Sequence, residues 1–316
     1  MKKKKVFLVT GGTGFIGSNI VKHLIQTDNK VIVFDNNYRG SLDKLKEYKN
    51  KFKFIKGDIR NRKNVNKALK GCDAVIHLAY INGTKYFYEK PELVLDVAVK
   101  GLVNIFDGCI KFKIKEMYLA SSSEVYQTPT KVPTKEDEML KIPDIFNPRY
   151  SYGGGKILTE LMGINYGKKF FKKLIIFRPH NVYGENMGNE HVIPNFIERI
   201  EKKLNKNIFQ IKGSGKEVRS FIYIDDFIKA FSLILNKGKH LNIYNIGTKE
   251  KIKMKDLAFK IAKIYKKKIR LKTTSFHAGS TKIRCPDISK IKRIGFIQKI
   301  GLNSGLKKIK LWNEIK

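Results

Sequence analysis

Lys5-Val-Phe-Leu-Val-Thr10 followed by Gly11-Gly-Thr-Gly-Phe-Ile-Gly17 is an apolar, strand-like run that breaks into a glycine-rich turn. A helical pattern follows, with Phe15, Ile16, Ile20, Val21, Leu24 and Ile25 on one face. The glycines have separate tasks: Gly11 permits the tight turn, Gly14 lets the backbone approach a pyrophosphate, and Gly17 lets helix and strand pack closely. The first helical turn, at Phe15 and Ile16, offers unpaired N–H groups to phosphate oxygens. A second apolar run, Lys30-Val-Ile-Val-Phe34, ends in Asp35 with Asn36 beside it, placing an acid where a ribose 2′-hydroxyl is bound. Strand, glycine turn, helix, strand and acid together point to a dinucleotide site.

Working outward, strand and helix patterns alternate. Strands are expected at 52–56, 73–77, 116–120 and 174–177, and helices near 61–69, 92–111 and after Tyr152. That alternation predicts an α/β fold, a doubly wound parallel sheet with helices on both faces. Past residue 178 the segments shorten: helices near 192–204, 225–236, 253–266 and 303–315, and strands near 218–224 and 241–246. We expect a dinucleotide-binding part over 1–177 and about 215–246. A smaller α/β substrate-binding region is expected over about 178–214 and 247–316, with more than one crossing between the two.

The bulk composition bounds the function. The chain has 316 residues, 42% hydrophobic, enough for one large or two intimate domains. Cys72, Cys109 and Cys285 are too scattered for a disulfide or zinc framework, so no metal is expected and a reducing compartment, the cytoplasm, is. The lysines at the start precede too short an apolar run for a signal peptide, and no stretch approaches a membrane span. Lys+Arg 65 against Asp+Glu 28 gives +37, which raises nucleic acid or a membrane surface as partner. The excess is mostly lysine spread along the whole chain, with only short runs at Lys2–Lys5 and Lys266–Lys268. Phosphate and base readers lean on arginine and aromatic clusters, so neither partner is expected. An anionic small molecule suits the basic balance.

Chemistry-bearing residues gather at expected strand ends. Gly57-Asp58-Ile59-Arg60 follows the third strand, with Asp58 and Ile59 placed at the adenine end of the cofactor. His77-Leu78-Ala79 ends the fourth, where small residues let the backbone approach the cofactor, and His77 itself reads as structural. The fifth strand runs into Ser121-Ser-Ser-Glu-Val-Tyr126, and Tyr152-Gly-Gly-Gly-Lys156 comes about 26 residues on. On a helix Tyr152 and Lys156 share a face. A phenol is a poor base at neutral pH. A neighbouring ammonium and the nicotinamide's positive charge stabilise the phenolate, which then removes a hydroxyl proton as hydride leaves. Three successive glycines are costly in a helix and call for close approach of cofactor or substrate.

These motifs, with Arg178-Pro-His-Asn-Val-Tyr-Gly184, Arg219-Ser-Phe-Ile-Tyr-Ile-Asp-Asp226 and Arg284-Cys-Pro-Asp287, resemble the extended short-chain dehydrogenase/reductases of the nucleotide-sugar epimerase/dehydratase family over nearly the whole chain. The resemblance implies a Rossmann fold, NAD as cofactor, a nucleotide-diphosphate sugar as substrate, and a homodimer built from the helices near 92–111 and 152–170. It implies Ser122 as the catalytic hydroxyl, Tyr152 as base and Lys156 as its partner. Ser123, Asn181, Arg219 and Arg284 become substrate contacts, the arginines on the diphosphate. Asp35 favours NAD over NADP by repelling a 2′-phosphate, although Arg39 lies close behind. Two positions depart from the family pattern: Ala98 stands where an Asn is usual, to be replaced by water or backbone, and Glu124 stands two before Tyr126. Glu124 reads equally as a base for the sugar C5 proton or as a structural hydrogen-bond acceptor. His180 either touches the sugar or packs. The resemblance favours a 4-epimerase, with a 4,6-dehydratase or UDP-glucuronate decarboxylase as rival. A non-catalytic cofactor- or nucleic-acid-binding protein is the distant alternative.

Overall fold

A computed structural model describes residues 4–202, 207–274, 279 and 281–315. The first part runs β1 (Val6–Thr10), α1 (Phe15–Gln26), β2 (Lys30–Asp35), β3 (Lys53–Lys56), α2 (Arg62–Leu69), β4 (Ala74–His77), α3 (Thr84–Glu89), α4 (Pro91–Lys111), β5 (Glu116–Ala120), α5 (Tyr150–Phe170) and β6 (Lys173–Pro179). Then come β7 (Val182–Tyr183), α6 (Val192–Lys202), β8 (Ile208–Ile211), β9 (Val218–Ser220), β10 (Ile222–Tyr223), α7 (Ile224–Lys237) and β11 (Asn242–Ile246). The chain closes with β12 (Lys251–Lys253), α8 (Met254–Ile264), β13 (Arg270–Thr273), β14 (Ile283–Arg284), α9 (Ser289–Arg293) and α10 (Leu302–Ile315). The expected helix at 192–204 is α6 as far as Lys202; positions 203 and 204 lie outside the described residues, as do Lys2 and Lys3 of the opening basic run.

Seven strands form one sheet in the order β11-β6-β5-β4-β1-β2-β3, every pair parallel. The strands are apolar on both sides because both faces are covered. In β1, Phe7 and Val9 enter one core and Leu8 the other; in β6, Ile175 and Phe177 oppose Leu174 and Ile176 in the same way. The order reverses between β1 and β4, where Thr10 lies beside His77, and ligands of doubly wound sheets bind outside the strand ends at such a point.

The chain leaves this sheet after β6 and returns to its edge as β11. The stretch expected as one strand over 218–224 is two: β9 joins β12 and β14, and β10 pairs with β7. Phe221 between them is buried in the core. The small strands bring Arg219 and Arg284 side by side as register partners. Among the described residues no helix is long and apolar enough to cross a membrane.

Candidate active site

The glycine turn closes as its spacing requires. Gly11 has φ +69°, and the Gly14 N–H donates to the Gly11 carbonyl at 3.1 Å. A Cβ at Gly17 would overlap that same carbonyl, and one at Gly11 would lie 2.8 Å from the Ala79 nitrogen. Gly14 meets only the Gly11 carbonyl and otherwise faces open space, which leaves room for a ligand against the backbone. α1 starts at Phe15 with no acidic side chain in its first turn, so its N–H groups face outward uncompensated. Thr10 Oγ1 accepts the Leu78 and Ala79 N–H groups at 3.1 and 3.2 Å and lies 2.8 Å from His77 Nδ1. His77 is pushed down to about 3, by burial first and Lys156 second, so it is a neutral structural group.

At the ends of β2 and β3, the Asp35 carboxylate accepts the Thr13 and Asn37 N–H groups at 3.0 and 2.8 Å. Asn36 donates to Asp58 at 3.4 Å. Both Asp58 oxygens accept from Arg60, which holds the carboxyl below its ordinary range, and Arg60 continues to Asp96. Ile59 turns inward onto Gly101 of α4, so its backbone alone lines this edge.

The catalytic candidates converge at the end of β5. Ser122 caps the turn Ser123–Tyr126 by accepting the Glu124 N–H at 3.1 Å, and its side chain favours ionisation of the Tyr152 phenol. Tyr152 sits in the first turn of α5, stacked on Phe87 at 4.9 Å and edge-on to Tyr80 at 5.1 Å. Its phenol is pushed up to about 12, chiefly by burial, with Ser122, Arg39 and Arg284 pulling down and Glu124 pushing up. Lys156 is equally buried and is pushed down to about 7 by desolvation, which Glu160 opposes. Its ammonium donates to the Ala120 carbonyl at 2.7 Å and lies 5.9 Å from the Tyr152 ring.

Glu124 is locked by a bidentate pair to Arg284, at 2.6 and 2.9 Å. Burial would raise its carboxyl, but Arg284, Arg149 and Arg219 outweigh it and hold the group below its ordinary range. The Arg219 guanidinium is pushed down to about 9 by burial, with Arg284 and Arg149 adding repulsion. Three guanidiniums around one carboxylate leave an excess of positive charge, and the Nε atoms of Arg149 and Arg284 are buried without partners. Asn181, at φ +43°, spends its side-chain amide on the Ser220 carbonyl, and Ser123 is buried in its turn. Behind this end, Arg178 forks onto Glu160 at 2.7 and 2.6 Å and reaches Tyr126 at 2.6 Å. Tyr126 donates to Asn245 at 2.7 Å, and His180 lies 3.1 Å from the same oxygen. His180 is pushed down to about 3 by burial and packs in this network.

The family model of the NAD dependent epimerase/dehydratase family matches residues 7–247. The chain belongs to that family. It is 33% identical over 272 residues to a dTDP-D-glucose 4,6-dehydratase of Dictyostelium discoideum, covering 81% of this chain and 61% of that one. It is 31% identical to a putative UDP-glucose 4-epimerase of Methanocaldococcus jannaschii (97% and 98% covered) and 30% identical to UDP-glucuronic acid decarboxylase 6 of Arabidopsis thaliana (95% and 86%). A solved UDP-glucose 4-epimerase with UDP-glucose from Thermotoga maritima is 26% identical, with a TM-score of 0.88 over 98% of this chain and 99% of that one.

The chain spans 61% and 47% of the length of two of the curated relatives it matches, and the family it belongs to is NAD dependent. The glycine cradle, which side chains would fill, fits the cofactor, and so does an acid at residue 35. Arg39 is committed elsewhere, to Glu190 and the Asn82 carbonyl, so it does not stand free beside Asp35 for a 2′-phosphate. The glycines after Tyr152 need correction. They make room for protein: a Cβ at Gly153 would strike Gln127, one at Gly154 would lie 3.1 Å from Ile142, and one at Gly155 would strike the Tyr80 hydroxyl. Sequence reasoning missed Arg149, whose signal is its place three residues before Tyr152, one helical turn away.

Proposed function

We propose that the enzyme interconverts C4 epimers of a nucleotide-diphosphate sugar through a 4-keto intermediate. The observation that carries this reading is the buried Tyr152 phenol, whose ionisation Ser122 favours, with Lys156 one turn further along α5 on the Ala120 carbonyl at the end of β5. Ser122 bridges the C4 hydroxyl to Tyr152, which takes its proton. Gly11, Gly14, Phe15, Ile16, Gly17, Asp35, Asn36, Asp58, Ile59, Leu78 and Ala79 would hold NAD, which would supply the reversible hydride acceptor that this chemistry needs at C4. Lys156 holds positive charge beneath this end of the site. Arg149, Arg219 and Arg284 attract the diphosphate, for which forked donors are suited, and Asn181 and Ser123 border the substrate.

The relatives' names divide among epimerases, dehydratases and a decarboxylase, and Glu124 separates the readings. An ionised carboxylate near C5 favours proton abstraction there, and hence elimination. A carboxylate with both oxygens on Arg284 favours a holding role, and on that ground we prefer the epimerase. Turnover of a panel of nucleotide sugars in D2O, read by mass spectrometry, decides. The expected product is a 4-epimer of unchanged mass with no deuterium at C5; deuterium at C5 with loss of water would establish the dehydratase instead.

We also propose a homodimer through α4 and α5. Leu95 and Val99 of α4 and Leu161 of α5 are 43%, 40% and 61% exposed, a large apolar commitment for outward helix faces. Light scattering is expected to give twice the 36.4 kDa chain mass, and Leu161→Glu to give the single-chain mass. A monomeric parent chain rejects this assembly.

A further inference from the structure

Tyr80 lies directly after Leu78 and Ala79, at the edge where β4 meets the glycine turn. Its ring lies against both Tyr152 and Lys156. It meets Tyr152 edge-on at 5.1 Å, and the Lys156 ammonium lies 3.8 Å from its centroid, far closer than to the ring of Tyr152 itself. Its hydroxyl is shut off from solvent with no hydrogen-bond partner. That hydroxyl fills the open side of Gly155, which the Ala98 methyl also borders: a Cβ at 155 would overlap the former and lie 2.9 Å from the latter. Two sequence peculiarities, the missing Asn at 98 and the third glycine before Lys156, therefore form one slot, and Tyr80 occupies it.

We propose that Tyr80 is a positioning residue for Lys156: its ring face carries the ammonium, in the slot that Gly155 and Ala98 open between α5 and α4. A desolvated ammonium over a ring face within about 6 Å is held by the ring quadrupole. The other groups around Lys156 do not replace this contact. β5 offers the neutral Ala120 carbonyl, and β4 offers His77, which is neutral. On α5, Tyr152 presents a protonated phenol, and Glu160 is already bound by Arg178 and Ser121. The hydroxyl of Tyr80 takes no part, so Tyr80→Phe keeps the contact and relieves an unpaired buried donor.

The importance of this contact for turnover rests on the pairing of Lys156 with Tyr152, but its test does not use turnover. Acetic anhydride labels neutral amines, so labelling the full chain across a range of pH and reading the Lys156 peptide by mass spectrometry gives the titration midpoint of that one side chain. Tyr80→Phe is expected to match the parent midpoint and to melt no lower. Tyr80→Leu is expected to shift the midpoint down by about one pH unit, a tenfold change on the scale of a buried cation–π contact. If Tyr80 were only a spacer, its loss would admit water and move the midpoint up towards that of free lysine. The proposal is overturned if the Leu variant's midpoint stays or rises, or if Phe shifts it as far as Leu does. A parent chain that turns over no nucleotide sugar, with these shifts intact, would sink the proposed reaction and leave the contact standing.

Discussion

Tyr152→Phe is expected to abolish reduction of NAD by the sugar, a loss of at least 10²–10⁴-fold on the scale of general acid–base catalysis. The substitution removes only the phenol hydroxyl, while the ring keeps its stacking on Phe87 and its edge contact with Tyr80, so melting should change little. The sign of the pH dependence follows from the same group. Burial pushes the phenol up to about 12, so below that value the reactive phenolate gains about tenfold per pH unit. Single-turnover formation of NADH should therefore climb with pH, and the climb should vanish in the Phe variant. Near-parental turnover by Tyr152→Phe would reject the assignment.

Arg178→Leu is expected to cost about 3–5 kcal/mol of folding stability, because it strands the buried Glu160 carboxylate without its fork. The side chains of the pair are 2% and 5% exposed, so water cannot take the guanidinium's place. Removing both partners, Arg178→Leu with Glu160→Leu, should recover most of the loss, since paired apolar side chains of similar size often replace a buried ion pair without penalty. Urea midpoints of the three proteins measure this. A double variant as unstable as the single one would mean that Tyr126 and Ser121, which lean on the same two groups, carry the energy instead.

Local patterns carried most of the fold. The glycine turn, the alternation of apolar strands with amphipathic helices, and the four-residue step from Tyr152 to Lys156 depend on neighbours in sequence, and each is found where its spacing puts it. What local pattern could not reveal depends on distant partners. Glu124 and Arg284 are 160 positions apart, and contacts between distant segments, the pairing of β14 with β9 and the bond from Thr281 to the Gln127 carbonyl among them, bring the guanidinium to the carboxylate. Arg178 reads as one member of a motif, yet its role is set by Glu160 on a different element. The glycines at 153–155 signalled close approach correctly, but not that Gln127, Ile142 and Tyr80 are what approaches. The strand at 218–224 looked continuous because no glycine or proline breaks it, although its two halves pair with different sheets.

The late return of β11 has a consequence for how the chain emerges from the ribosome. β6 ends at Pro179 and its outer neighbour begins at Asn242, so one edge of the sheet waits while the intervening stretch is translated, roughly 3–12 s at ordinary elongation rates. Until then, the hydrogen-bonding groups along β6 are open to any passing strand, including those of other nascent copies. The surplus of lysine dispersed along the chain places like charge on every such copy, and mutual repulsion during that interval disfavours their coming together.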